Sequence, residues 1–594
     1  MSFRAAVAEF LAEFFRLSPV EATEAGMHDY DHRWHDATEH GRLEALEALE
    51  RWQRRLDETD RTMLDRDERA DLDVLIGEIA ARRFALDELR EDRWDPLSWV
   101  YLLGGGLFPL IARDFAPLAV RLGSAAGRLE GVPAVAAAAR AQLIGTPDRP
   151  VSQLHAEAAI GQLPGVVQLV DEILGEGEDH ADDPAVAALL PRLRVAAEVA
   201  RGALGELDRD LREVVLPAAS GEGRLGASLY EAKLRHTFRS DSITAETILL
   251  RAEEEYQRVR AEMVRLAREL WPVWRPGEPM PSAGDQGDAG LADSAVVSGV
   301  LEAIGAEHPR ADQLLSHAEA EHVRIEAFCR ERGVISLPEE PLEIRWTPAF
   351  LRAFGGAMLI PPGPLDRGGR SFYAITPIPD DWSPAMAESW LREDNDRAMR
   401  LIGIHEGVPG HYLQLARSNQ CPSLARSVFA SGVFAEGWAV YVTQVMLDLG
   451  FDADDRALWL VHWKLYLRAV VNAIMDVRIH TAGMTEDEAL ALMIDGAFQE
   501  EAEAVNKYRR ARLSSTQLAT YFVGSIEMWD IELEARRRAA VAAGDPRGPA
   551  AVPSPSLVGG IGPTPGFDYR AHLEAVISHG TPPPAVLRSL LFGG

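Results

Sequence analysis

Along residues 3–270, apolar side chains return every third or fourth position among alanines, glutamates and arginines, most regularly over 64–89 and 193–211. That spacing gives a helix one buried face, and it predicts a helical array. Gly104-Gly105-Gly106, residues 147–150 and residues 217–226 interrupt the rhythm and mark turns. From 274 to 293 the pattern dissolves into Pro276, Gly277, Pro279, Pro281, Gly284, Gly287 and Gly290, which reads as an exposed loop and a first boundary. A helix ending near Gly333 follows, and then the texture changes. Residues 342–347 and 371–376 are short, branched or aromatic, and read as strands. Helical periodicity resumes over roughly 383–542, a second Pro/Gly-rich linker spans 545–565, and a helical hairpin closes the chain, with no internal repeat. The expected divisions are an N-terminal helical region over 1–275, a region over 294–542 that carries the chemistry, and a C-terminal hairpin over 566–594.

The chemistry is concentrated in His405-Glu406-Gly407-Val408-Pro409-Gly410-His411 and, further on, in Phe434-Ala435-Glu436-Gly437-Trp438-Ala439-Val440-Tyr441. Two imidazoles, a carboxylate beside the first and another in the next helix are the parts of a zinc hydrolase. The usual helical signature spaces its histidines four apart, on one face. Here they are six apart, a rotation of about 600°, so an unbroken helix would carry His411 roughly 120° away from His405 and about 9 Å along the axis. Pro409-Gly410 resolves this, because proline removes an i to i−4 hydrogen bond and glycine accepts unusual backbone angles. The expectation is a bulged helix that returns both histidines to one metal. Glu436 lies in the apolar segment 433–442, where an unpaired carboxylate costs several kcal/mol, so it is expected to be the third ligand. Three protein ligands leave the fourth tetrahedral position open, with Glu406 as general base and then general acid.

Other candidates have plainer readings beside the functional one. Asp476 and His480 share a helical face; His480 is either a donor to a substrate oxygen or half of a surface pair. Tyr521 is either a phenolic donor to the oxyanion or a half-buried core residue. Among Arg509, Arg510 and Arg512, the last is taken as the candidate for a substrate carboxylate, against the plain reading of a solvated helix face. The strand 371–376, with Phe372 and Tyr373, is expected to hold an extended peptide by its backbone.

The net charge of −31 over 594 residues argues against nucleic acid, which needs concentrated Lys and Arg, and no polybasic patch offers itself to a membrane. Two cysteines, Cys329 and Cys421, imply no disulfide framework. With a charged N-terminus and no long uncharged run, these features predict a soluble cytoplasmic protein.

Together the motifs resemble DUF885, a bacterial family of unknown function grouped with gluzincin-type zinc peptidases. Residues 405–414 are similar to its H-E-x-x-P-G-H-H-L-Q core, with Tyr412 in place of the second histidine of the pair, which favours His411 as the ligand. Residues 434–441 resemble its F-x-E-G-W-A-x-Y motif, whose glutamate is the expected third ligand, and 476–480 its D-x-x-x-H motif. Gln517, Tyr521 and Gly524 match its P-G-Q-A-x-x-Y-x-x-G motif, although Ser515-Thr516 replaces the Pro-Gly and Leu518 the alanine. Pro19, Ala22, Thr23 and Gly26, then Gly226 with Tyr230, then Phe567 with His572, look like its flanking segments. The resemblance implies a mainly α protein, a large helical zincin-like (gluzincin) fold with a small β-sheet beside a deep active-site cleft. It also implies zinc as cofactor and hydrolysis of peptide bonds, with short peptides as substrates. The alternatives are a non-catalytic peptide- or metabolite-binding protein on the same scaffold and a zinc amidase of a non-peptide substrate.

Overall fold

The apolar stripes become helices packed around separate cores, in a computed structural model that describes residues 2–593 apart from 283–287, 349–350, 353–355, 367 and 552–562. The first core joins α1 (Leu118–Gln142), α2 (Gln153–Asp179) and α3 (Pro184–Asp210), where Leu122, Ala126, Leu163, Val170, Leu193 and Leu204 are buried. The alanines let these backbones approach closely. A second core gathers Phe10, Phe14, Trp52 and Leu75 around Phe429, which arrives from the distant second half of the chain.

The largest core carries the candidate site and runs from Tyr230 to Leu587. Its helix α4 (Ala245–Trp274) buries Ile248, Val259, Met263 and Leu266 in that core. The loop at 274–293 therefore does not separate two cores, as the expected boundary at 275 implied: the face of α4 is completed by helices that come later in the chain. Parts of both expected linkers, 283–287 and 552–562, lie outside the described residues.

Among the described residues the protein is mainly helical with one three-stranded sheet in the order β1-β3-β2. β1 (Leu342–Trp346) pairs parallel with β3 (Ser371–Ile375), and β2 (Ala357–Ile360) pairs antiparallel with β3. The two strands read from the sequence are β1 and β3. β2, with four residues before Pro361, is too short to signal itself. Six helices frame the site: α5 (Asp396–Glu406), α6 (His411–Ser418), α7 (Gly432–Asp448), α8 (Arg456–Ala482), α9 (Glu501–Leu513) and α10 (Ala519–Ala542). The C-terminal hairpin forms as α11 (Tyr569–Ile577) and α12 (Pro584–Phe592). It is pinned to α6 where Gln414 donates to Thr581 at 2.7 Å and Thr581 donates to Ser418 at 2.8 Å.

Candidate metal centre

The helix does not bulge between the histidines; it breaks. α5 ends at Glu406, residues 407–410 form a loop, and His411 opens α6. Proline offers no N–H to continue the ladder. The Gly410 N–H instead turns back to donate to the Ile404 carbonyl at 3.1 Å. A Cβ on Gly410 would lie 2.0 Å from the His405 carbonyl oxygen, so the fold-back needs glycine there. The consequence for the ligands is the one the bulge was expected to bring. The His405 and His411 rings lie 4.7 Å apart between centroids and nearly perpendicular, at 87°. Tyr412 points elsewhere, donating to the Glu340 carbonyl.

Glu436 reaches the same point from the first turns of α7. Its Oε2 is 3.4 Å from His411 Nε2 and 3.8 Å from His405 Nε2, and one donor atom from each residue lies within 4.8 Å of the others. Zinc bound at about 2.1 Å in a tetrahedral site spaces its donors by roughly 3.4 Å, so the chemistry and spacing of this set fit that ion. Burial opposes the charge on Glu436, but hydrogen bonds from the two imidazoles outweigh it and hold the carboxyl well below the usual carboxylate range. A group that is to hold a metal must be deprotonated, and this carboxyl is.

The residues after Glu436 explain its surroundings. Gly437 meets Gly524 of α10: a Cβ on Gly437 would sit 2.3 to 2.6 Å from the Gly524 backbone, so both helices need glycine where they cross. Trp438 is buried, and its Nε1 donates to the Pro409 carbonyl at 2.9 Å. It thus ties the loop between the histidines to the helix that bears Glu436. Tyr441 donates to Glu532 at 2.5 Å, locking α7 onto α10 once more. Trp438→Phe keeps the packing and orphans the Pro409 carbonyl. The expected result is a loss of about tenfold in zinc affinity, in the range seen when a supporting hydrogen bond is removed from a metal site. Competition against a chromophoric chelator measures it, and unchanged affinity would count against the tie.

Along the mostly apolar α8 a polar residue recurs at every fourth position, Lys464, Arg468, Asn472, Asp476 and His480. Sequence reading took up only the last two, and their role differs from the expectation. Asp476 accepts from the Thr516 and Ala519 N–H groups, each at 3.0 Å, and so organises the turn into α10. Burial raises its pKa to about 6. His480 is buried and does not line the cavity beside the histidines. Its Nε2 sits 2.8 Å from the Ser514 carbonyl and 3.2 Å from that of Ala511, and its ring stacks on Tyr230. Burial lowers its pKa to about 4, which leaves it a neutral donor to backbone. Asp476 and His480 thus hold residues 511–519 rather than a substrate. In the turn they hold, Thr516 has φ 64, the left-handed region that favours the glycine of the family pattern.

What they position is Tyr521. Its hydroxyl oxygen accepts from Arg510 and from Gln517, both at 3.3 Å, which leaves its own proton to donate. Burial and then the charge of Glu436 raise its pKa, so it stays protonated. Tyr521 lines a cavity of about 170 Å³ with His405, Glu406, Gly356, Ala357 and Asn472. Phe372, Tyr373 and Arg512 do not line it. β3 is the central strand, so its backbone groups are spent on β1 and β2; the strand at the cavity is the edge strand β2. Phe372 packs beneath the guanidinium groups of Arg113 and Arg345, and Tyr373 is buried among Leu314, Leu391 and Met399. Arg512 donates to the Glu222 carbonyl. Sequence reading missed Glu393, Asp394, Arg468, Glu503 and Lys507, which line the cavity, and of the three arginines it weighed it settled on Arg512 where Arg510 is the one in the lining. The four-residue stripe on α8 and the 503, 507, 510 spacing on α9 were the available signals.

The chain is similar over its whole length to a solved structure described as a putative lipoprotein of unknown function from Shewanella oneidensis, at 30% identity and a TM-score of 0.77, with 100% of each chain covered. It shares the fold of a putative lipoprotein from Colwellia psychrerythraea at 16% identity and a TM-score of 0.72, covering 99% of this chain and 98% of that one. No curated protein matches it. Both neighbours being described as lipoproteins overturns the cytoplasmic expectation. Among the described residues no helix is long and apolar enough to cross a membrane, but a lipid anchor is not a spanning helix, and two unpaired cysteines report only on disulfides. The model of the family described as bacterial protein of unknown function (DUF885) matches residues 19–591, and the chain belongs to that family.

Proposed function

We propose that this chain is a zinc-dependent hydrolase of the gluzincin type that cleaves peptide bonds, with short peptides as substrates. One observation carries the reading: a His, His, Glu donor set with Glu406 immediately beside its first member, buried and lining the cavity that His405 and Tyr521 also line. A structural metal site has no use for a base there. His405, His411 and Glu436 would hold the ion, which supplies Lewis acidity toward a carbonyl and toward water. Glu406 takes a proton from the attacking water and passes it to the leaving nitrogen. Tyr521 donates its proton to the developing oxyanion, its oxygen held by Arg510 and Gln517. The edge of β2, with Gly356 and Ala357 at the cavity, supports a peptide as substrate, because an unpaired strand edge recognises extended backbone.

Metal analysis tests this. Protein stripped with chelator and reloaded is expected to hold about one zinc per chain, and His411→Ala far less, with hydrolysis of a peptide pool following the metal. Reloaded protein that retains no zinc overturns the reading.

A further inference from the structure

We propose that Arg510 anchors the free α-carboxylate of a peptide, so that the enzyme cleaves at the C-terminal end of its substrate; this rests on the hydrolase reading above. The charges around the cavity carry the argument. Lys464 bonds Glu393 at 2.7 Å, Arg468 lies 3.7 Å from Glu393 and 3.6 Å from Glu503, and Lys507 lies 3.1 Å from Glu503. Those cations share two carboxylates. Asp394 adds only part of a negative charge near neutral pH, because burial and its acidic neighbours raise its pKa to about 7.

Arg510 makes no contact ion pair within this set, although Glu503 acts on it through space. Its guanidinium donates to Gln517 Oε1 at 3.2 Å and to the Tyr521 hydroxyl at 3.3 Å, both neutral, and among the described residues no carboxylate lies within 4.0 Å of it. Glu436 and Glu503 act on it only through space, so this largely enclosed guanidinium has neutral hydrogen-bond partners and, among the described residues, no contact ion pair. Counting Glu406 and Glu436, cations and carboxylates around the cavity are about balanced, so what singles out Arg510 is the lack, among the described residues, of a carboxylate at contact distance. The neighbouring arginines do not compete: Arg509 is exposed and Arg512 is bonded to the Glu222 carbonyl.

The guanidinium fork matches a planar carboxylate in two parallel hydrogen bonds. Because Arg510 touches Tyr521, a carboxylate held there puts the adjoining peptide bond beside the groups that act on it. Water's oxygen then bonds to the carbonyl carbon and the C–N bond breaks. The proton taken up by Glu406 leaves on the amine of a released C-terminal fragment whose carboxylate Arg510 still holds.

The test is a pool of N-acetyl tripeptides varied at the last two positions, made once as free acids and once as C-terminal amides. Retention by metal-free protein is measured by equilibrium dialysis with mass spectrometry, and hydrolysis by zinc-loaded protein is followed in parallel. Free acids are expected to be retained about tenfold or more better than amides, as a charge-assisted bidentate pair implies. Arg510→Gln is expected to abolish the preference and Arg510→Lys to keep part of it. Equal retention of acids and amides by the unaltered protein, or no retention of either, overturns the proposal. Equal hydrolysis of both pools would sink the anchor and leave the hydrolase standing. Selective retention of acids with no hydrolysis would sink the hydrolase and leave the anchor.

Discussion

Glu406→Gln is expected to keep about one zinc per chain while lowering peptide hydrolysis by a factor of about 10² to 10⁴, the usual contribution of a positioned general base. The substitution is nearly isosteric, and Glu406 lies outside the donor cluster of His405, His411 and Glu436, so metal and fold should persist. What is lost is the ability to accept a proton. Glu406 lines the same cavity as His405 and Tyr521, so a carbonyl bound in that cavity has base and donor within one lining. A protein that only bound peptides would hold them as well or better with glutamine, since a buried negative charge is removed. Rates and zinc content measured on the same preparation separate the cases: full activity with zinc retained rules out the assigned role of Glu406.

The largest loss of stability is expected from Gly524→Ala. A Cβ at this position would lie 2.3 Å from the Val433 carbonyl oxygen and 2.8 Å from the Gly437 Cα, which are backbone atoms of α7 and cannot turn aside. The helices must part by most of an ångström, at a cost of about 3 kcal/mol, at the upper end of what overpacking a core brings. That separation carries Tyr521, one turn earlier on α10, away from Glu436 on α7, so zinc affinity and activity should fall as well. Gly432→Ala on the same α7 is the contrast. Nothing lies within 4 Å of its Cβ, and replacing a helical glycine there should be neutral or stabilise by up to about 1 kcal/mol. Urea denaturation midpoints of the two variants give the comparison, and equal midpoints would refute the close-crossing argument.

The difference between Arg510 and Arg512 shows why part of the site was hidden in the sequence. Two residues apart on α9, they differ by about 200° of rotation, and the sequence does not say which face meets the cavity. The same holds for His480. A histidine four residues after an aspartate reads equally as donor to a substrate or donor to backbone; only the presence of the 511–514 carbonyls on that face decides.

The chain alone determined what depends on residue type and local period. The helical array follows from apolar spacing; the candidate donors that the structure brings together follow from two histidines beside a Pro-Gly interruption and a glutamate in an apolar helix. The tertiary structure decided what depends on packing between distant segments. It turned the expected bulge into a break closed by Gly410, because the Ile404 carbonyl was there to take its N–H. It added β2 and made β3 central, which moved the peptide-binding edge, and it joined α4 to the site's core across the apparent boundary at 275. Short-range pattern fixes which side chains can do chemistry; long-range contacts choose which of them share a cavity.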